Sequence, residues 1–212
     1  AGRLRAPQEA SVLAGLDYAL LRNDVLANRP IASPQHDTVE VPQVLGVFGD
    51  DSIDTAASLA RVLAECDRPV EATFVHADAR ARADVEAVQP AFRQRFEVVE
   101  PDPRVVERVV RADVVLSDAG TSAWELLCLG AATGLVWSAE DQVEAYRGLM
   151  VQRVVIGLGS VEGLRDDPAP GVEKMTRLLG DARERTRLAD AGWRLVDGMG
   201  RARVADALLA LL

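Results

Sequence analysis

Cysteine, lysine, histidine and aromatic side chains are all scarce in this 212-residue chain, and each scarcity removes a class of function. Only Cys66 and Cys128 occur, far apart and each in an apolar, helix-like stretch (RVLAECDR and ELLCLG), so a disulfide framework is excluded and both read as buried thiols. With His36 and His76 as the only histidines, no C-x-x-C or H-E-x-x-H spacing can be assembled, and a structural zinc site is not expected. Lysine appears once, at Lys174. No run approaches the roughly 18 apolar residues of a membrane span, and the opening AGRLRAPQEA lacks a charged-then-apolar signal pattern, so the cytosol is the simplest compartment. Basic residues are outnumbered, 24 against 33 acidic, giving a formal charge of -9. A surface of that sign repels phosphate backbones and anionic lipid, so neither nucleic acid nor membrane is an expected partner.

What the chain does have is a 49% apolar content arranged in a repeating order. Short apolar runs at 43–48, 71–76, 96–100, 113–117, 132–137 and 153–157 read as strands. Amphipathic stretches near 52–65, 80–89, 104–111, 121–129, 141–149, 171–179, 182–194 and 200–211 read as helices, the first with Ala56, Leu59, Ala60 and Leu63 on one face. Strand and helix in alternation with short loops predict a parallel sheet covered on both faces, because a right-handed crossover needs a helix between parallel neighbours. The expected fold is therefore α/β, an open, doubly wound, Rossmann-like sheet over 41–212. Residues 1–40, with one short apolar core at DYALL followed by Asn, Pro and Ser, read as a connector.

In such a sheet the ligand crevice lies beyond the carboxyl ends of the strands. Three loops are candidates: Gly49-Asp50-Asp51-Ser52, Ser117-Asp118-Ala119-Gly120-Thr121-Ser122, and Ser138-Ala139-Glu140-Asp141-Gln142. The second carries the most chemistry. Gly120 permits close backbone approach, Thr121 and Ser122 add hydroxyls at a helix start whose free N–H groups favour an anion, and Glu125 lies one turn deeper, where a carboxylate can accept from two ribose hydroxyls. A plainer alternative stands beside it, in which Thr121 or Ser122 caps the helix and Glu125 is a first-turn acid favoured by the dipole. Spacing alone leaves both open.

At this loop the stretch ADVVLSDAGTSAWELLCLGAATGLVW resembles the UDP-sugar hydrolases of pseudaminic acid biosynthesis and the related spore coat polysaccharide biosynthesis proteins. LAGLDYALLRND, EDQVEAYRGL and LVDGMGRARVADAL resemble further segments of that family in the same order, so the likeness spans nearly the whole chain. More distantly, it is similar to the C-terminal half of the UDP-N-acetylglucosamine transferase that completes lipid II. The resemblance implies a two-domain GT-B architecture in which this chain holds UDP or a UDP-sugar, while an N-terminal half, absent here, supplies the sugar pocket and a catalytic histidine. It assigns the nucleotide site to Gly49, Asp51, Ser117, Gly120, Thr121, Ser122, Glu125, Asp141 and Gln142, with no catalytic residue on this chain. His36 reads instead as an exposed loop residue and His76 as a structural strand end.

Departures from that pattern matter too. Phe48 stands where the family has a glycine, and Asp50 and Asp51 bring negative charge to a diphosphate, so these acids either point away or hold Mg2+. Otherwise no cofactor is required. Two readings follow. One is the UDP-binding half of a nucleotide-sugar hydrolase or glycosyltransferase serving cell-surface polysaccharide or nonulosonic acid biosynthesis. The other is a degenerate, non-catalytic domain that has kept the fold as an interaction module. A phospho-receiver is disfavoured by the lack of a lysine after the fifth strand, and an NAD site fits poorly because GLGSVEG at 157–163 has the wrong glycine spacing.

Overall fold

The computed structural model describes residues 12–49 and 53–210. In order, these form a 3-10 turn (Leu16–Tyr18), α1 (Asn23–Asn28), β1 (Gln43–Val47), α2 (Ile53–Glu65), β2 (Val70–Val75), α3 (Ala79–Glu86), β3 (Gln94–Val99), α4 (Val105–Arg111) and β4 (Val114–Asp118). There follow α5 (Ser122–Cys128), β5 (Thr133–Trp137), a second 3-10 turn (Glu140–Gln142), α6 (Val143–Gln152), β6 (Ile156–Ser160), α7 (Val161–Asp166), α8 (Ala169–Gly180), α9 (Ala182–Leu195) and α10 (Gly200–Leu209).

The sheet is the doubly wound one expected. Six strands lie in the order β3-β2-β1-β4-β5-β6, every pairing parallel. Alternation along the central strands divides the core into two layers. Val44, Val114, Leu116 and Val136 face α2, α7 and α8, whereas Leu45, Val115 and Leu135 face α1, α4, α5 and α6. Burial on both faces explains why β4 offers five buried residues in a row and no polar alternation.

Several elements depart from expectation, among them α1, a helix within the stretch read as a connector. The sixth strand begins at Ile156, not at 153, because Val154 and Val155 are buried before the ladder starts and the strand runs on through Gly157 and Gly159. Glycine reads as punctuation in a sequence, yet here a Cβ at Gly157 would collide with Tyr146 and Met150, so the residue lets α6 lie directly on the strand. The following α7 was not expected at all. Ser160 caps it, its hydroxyl accepting from Gly163 N at 2.9 Å.

The described part of the expected connector runs along the domain. Leu21 and Val25 are buried in the second core layer, and Trp193 Nε1 donates to Pro30 O at 3.0 Å. Arg29 stacks over the Trp193 ring at 4.2 Å. His36 is not an exposed loop residue: it is half-buried, its N–H donates to Thr186 Oγ1, and its pKa is lowered, first by burial and then by the Arg185 charge. His76 follows directly on the end of β2, buried, with Nδ1 accepting from Asp78 N at 3.1 Å. Cys66 and Cys128 are free and buried, as expected.

Arg185 on α9 is 1% exposed, and its guanidinium donates to Leu178 O, Leu179 O and Asp37 O. One side chain thus satisfies the orphan carbonyls at the end of α8 and fastens the segment before β1. Arg185→Met should fill the volume but strand those carbonyls, a loss of roughly 2–4 kcal/mol. Urea unfolding is the measurement, and an unchanged midpoint would disprove the role.

At the chain's far end Asp197 accepts from Arg203 Nη1 and from Met199 N, both at 2.9 Å, and the Arg203 pairing holds its carboxyl down to about 2. Because that lies below the unfolded value of about 3.9, the contribution is complete above about pH 5 and drains away as pH falls through 4 toward 2 and below. Asp197→Asn is predicted to flatten the stability-against-pH curve in that window. Parallel curves for variant and wild type would contradict it.

Candidate functional site

The order of strands reverses between β1 and β4, and the loops leaving those two strands part from each other at their carboxyl ends. There a cavity of about 820 Å³ opens, bordered by Gly49 after β1, Thr55 in the first turn of α2, Gly120, Thr121 and Ser122 after β4, Asp141 and Gln142 after β5, and Glu162 and Arg165 on α7. Gly120 is accessible: a Cβ there would touch only Asp118, at an ordinary 3.5 Å. Thr121 precedes α5 but its hydroxyl makes no capping hydrogen bond, so the plainer reading of this threonine as a side-chain cap is not realised.

A second cavity, about 980 Å³, lies on the other side of the α5 start. Leu16, Leu21, Arg22, Trp124, Glu125 and Leu149 border it, together with Thr121 and Ser122, which the two cavities share. Glu125 is 20% exposed and receives both arms of the Arg22 guanidinium, Nε to Oε1 at 2.8 Å and Nη2 to Oε2 at 3.0 Å. That pairing pushes the Arg22 pKa up.

The structure therefore gathers Gly49, Gly120, Thr121, Ser122, Asp141 and Gln142 at one cavity and sets Glu125 in the adjoining one. Ser117 borders neither; it is fully buried on the side of the sheet that faces α5. Asp51, with Asp50, lies outside the described residues. Gln142 is held in place, Oε1 accepting from Ser138 N at 2.9 Å and Nε2 donating to Asp118 Oδ2 at 3.4 Å. Phe48 leaves the crevice to its neighbours: its ring stacks on Phe74 at 6.5 Å within the first core layer.

Charge at the first cavity is mixed. Its border carries Asp54, Asp118, Asp141 and Glu162 against Arg80 and Arg165, and Arg165 already pairs with Asp54 at 3.1 Å. Among the described residues, no three His, Cys, Asp or Glu side chains are gathered closely enough to hold a metal ion. Several bordering residues had no sequence signal. Thr55 is hidden within a helix pattern, Glu162 and Arg165 belong to the unexpected α7, and Arg22 lies 103 positions from its partner Glu125. The segment holding Arg22 stood out only through its family resemblance.

A six-stranded parallel sheet wound on both faces, with its crevice at the strand reversal, is a Rossmann-like fold, and the same fold is present in solved GT-B structures. Solved structures of that class superpose on this chain. MurG of Acinetobacter baumannii does so with a TM-score of 0.71 at 14% identity, over 97% of this chain and 57% of that one. The spinosyn rhamnosyltransferase SpnG, complexed with thymidine diphosphate, gives 0.58 at 19% identity over 79% and 44%. The calicheamicin glycosyltransferase CalG4 gives 0.58 at 20% identity over 85% and 46%. The chain thus spans about half the length of these neighbours. No protein-family model and no curated protein matches the sequence.

Ser117 gives this geometry a check. Its Oγ is buried with no hydrogen-bond partner among the described residues, so Ser117→Ala removes an unsatisfied hydroxyl and is predicted to raise stability by about 1 kcal/mol. Calorimetric melting tests it; a lower melting temperature would mean that the hydroxyl is bonded.

Proposed function

We propose that this chain is the nucleotide-binding domain of a nucleotide-sugar enzyme, a hydrolase or glycosyltransferase, with UDP or a UDP-sugar as ligand. One observation carries the reading: the cavity at the β1–β4 reversal is bordered by a glycine from each of the two strand ends, Gly49 and Gly120, where backbone can approach a phosphate. Amides and hydroxyls at Thr121 and Ser122 supply donors on the ridge between the cavities, and Glu125 offers its carboxylate on the far side of that ridge. Gln142, already oriented by Ser138 and Asp118, stands at the diphosphate's outer edge.

In this reading the chain stabilises charge that develops on the departing UDP, and an N-terminal half supplies the base and the sugar pocket. Support for that division comes from the 57% of MurG that the chain covers. Assignment to cell-surface polysaccharide or nonulosonic acid biosynthesis, with the hydrolase and spore coat proteins as relatives, rests on the four resembling segments.

The acidic border favours a second reading, a degenerate GT-B-like domain that serves as an interaction module. The border's four carboxylates, Asp54, Asp118, Asp141 and Glu162, outnumber its two arginines, of which Arg165 pairs with Asp54 at 3.1 Å and Arg80 lies 3.8 Å from Asp84. Like charges at 4–8 Å raise the cost of a bound diphosphate unless Mg2+ accompanies it. Titration calorimetry with UDP, CMP and GDP, each with and without Mg2+, separates the two. Heat with UDP, lost in Glu125→Ala and weakened about tenfold in Gly120→Val at unchanged melting temperature, is the expected result. Silence with every nucleotide leaves the interaction module.

A further inference from the structure

We infer that the crevice takes its nucleoside diphosphate as a Mg2+ complex, with the cation seated between the Asp118 carboxylate and the diphosphate and the Thr55 hydroxyl beside it. The inference rests on the nucleotide reading above and extends it to the ionic form of the ligand.

Strand alternation and topology bring the two side chains to one place. In β4, Val114 and Leu116 face α2, so Asp118, two residues further on, is turned to the same side of the sheet. β4 lies directly against β1, and α2 is the first helix after β1, which sets the first turn of α2 and the Asp118 carboxylate on one cavity border. Asp118 is only 4% exposed. Its Oδ1 lies 3.5 Å from where a Cβ on Gly120 would stand, and its Oδ2 accepts from Gln142 Nε2 at 3.4 Å. The space beside Gly120, through which backbone approaches a phosphate, is thus faced by a carboxylate oxygen. Asp141 and Glu162 add the same sign to the border. Two anions brought together where little water remains repel strongly, and a divalent cation between them turns that repulsion into attraction.

Thr55 points the same way, independently of charge. It is 1% exposed in the first turn of α2, it borders the same cavity, and its hydroxyl has no hydrogen-bond partner among the described residues. Ser58 on the same helix does what such a hydroxyl ordinarily does and donates back to the helix, to Asp54 O at 2.8 Å. A buried oxygen left without a partner costs stability unless something meets it, and a hydroxyl oxygen is a hard ligand for Mg2+ or an acceptor for a water bound to it. Among the described residues no three carboxylate, imidazole or thiol groups converge, so the protein builds no complete cage for a metal. Mg2+ does not call for one. It is commonly held by one or two carboxylates together with phosphate oxygens and water, so here the diphosphate itself completes the octahedron.

Calorimetric titration of the wild type, Asp118→Asn and Thr55→Val with UDP, in EDTA and in excess Mg2+, tests this, the ratio of the two dissociation constants being the readout. Mg2+ is expected to tighten UDP about tenfold in the wild type, about twofold or less in Asp118→Asn, and about threefold in Thr55→Val. The two variants arrive there differently. Asp118→Asn gains affinity in EDTA because the like charge is gone, whereas Thr55→Val loses affinity in Mg2+ alone. Manganese resonance on the unaltered protein needs no variant: the Mn2+ signal should broaden with protein and UDP together and not with protein alone. A signal that stays sharp with both present overturns the inference, as does a wild-type ratio in Asp118→Asn; a wild-type ratio in Thr55→Val overturns the part given to the hydroxyl. A wild type that binds no UDP in either condition defeats the underlying nucleotide reading, while one that binds UDP equally well in EDTA and in Mg2+ leaves that reading standing and defeats only the cation.

Discussion

The parallel pairing of β1 with β4 at the middle of the sheet is the constraint on which the rest depends. Chain that has moved outward through β2 and β3 returns by way of α4 and begins again on the other side of β1. Two loops therefore leave adjacent strand ends in opposite directions and cannot close the space between them. Gly46 sits in this pairing, opposite both Phe74 and Leu116, and a side chain there would meet the Phe48 and Phe74 rings at 2.8 Å. The stacked aromatics need that glycine, and they draw Phe48 into the core. A ring that looked obstructive in the linear sequence is a packing residue, and the crevice mouth is left to Gly49.

Architecture was legible in the sequence wherever burial is two-sided or periodic. VVLS in β4 and the Ala56, Leu59, Ala60, Leu63 face of α2 announce themselves because water is absent from the sides they present. The sixth strand was displaced in the reading because its ladder contains two glycines: Gly157 lies against Tyr146 and Met150 of α6, a tertiary fact that no window of ten residues contains, and Gly159 takes a positive φ of 120°. The grouping of the candidate site was legible in part, because loops at one end of a parallel sheet converge. Gly120, Thr121, Ser122 and Gln142, from two such loops, border one cavity, while Ser117, still within β4, is buried on the α5 side of the sheet and borders neither cavity. Arg22 could not be read from any local pattern, since what makes it informative is an ion pair across 103 residues.

Electrostatics sets the terms for anything that enters the crevice. The chain is acidic as a whole, and the cavity border repeats that sign, so an anionic ligand gains nothing there from long-range attraction. In the nucleotide reading proposed above, recognition rests on donors at short range: loop amides, the unengaged Thr121 hydroxyl and the oriented Gln142 amide. Such a site trades encounter rate for discrimination, because contacts that act only at hydrogen-bonding distance report shape and donor pattern more than charge.

Close approach of the first and last described segments has a consequence of its own. Gly200 at the start of α10 lies against the backbone of Tyr18 and Ala19, Arg203 donates to Asp17 O at 3.0 Å, and Arg201 reaches Asn23 Oδ1 at 2.6 Å. The turn at Leu16–Tyr18 and the first turn of α10 are thereby pinned to each other, so that fraying at either end of the described chain exposes backbone at the other.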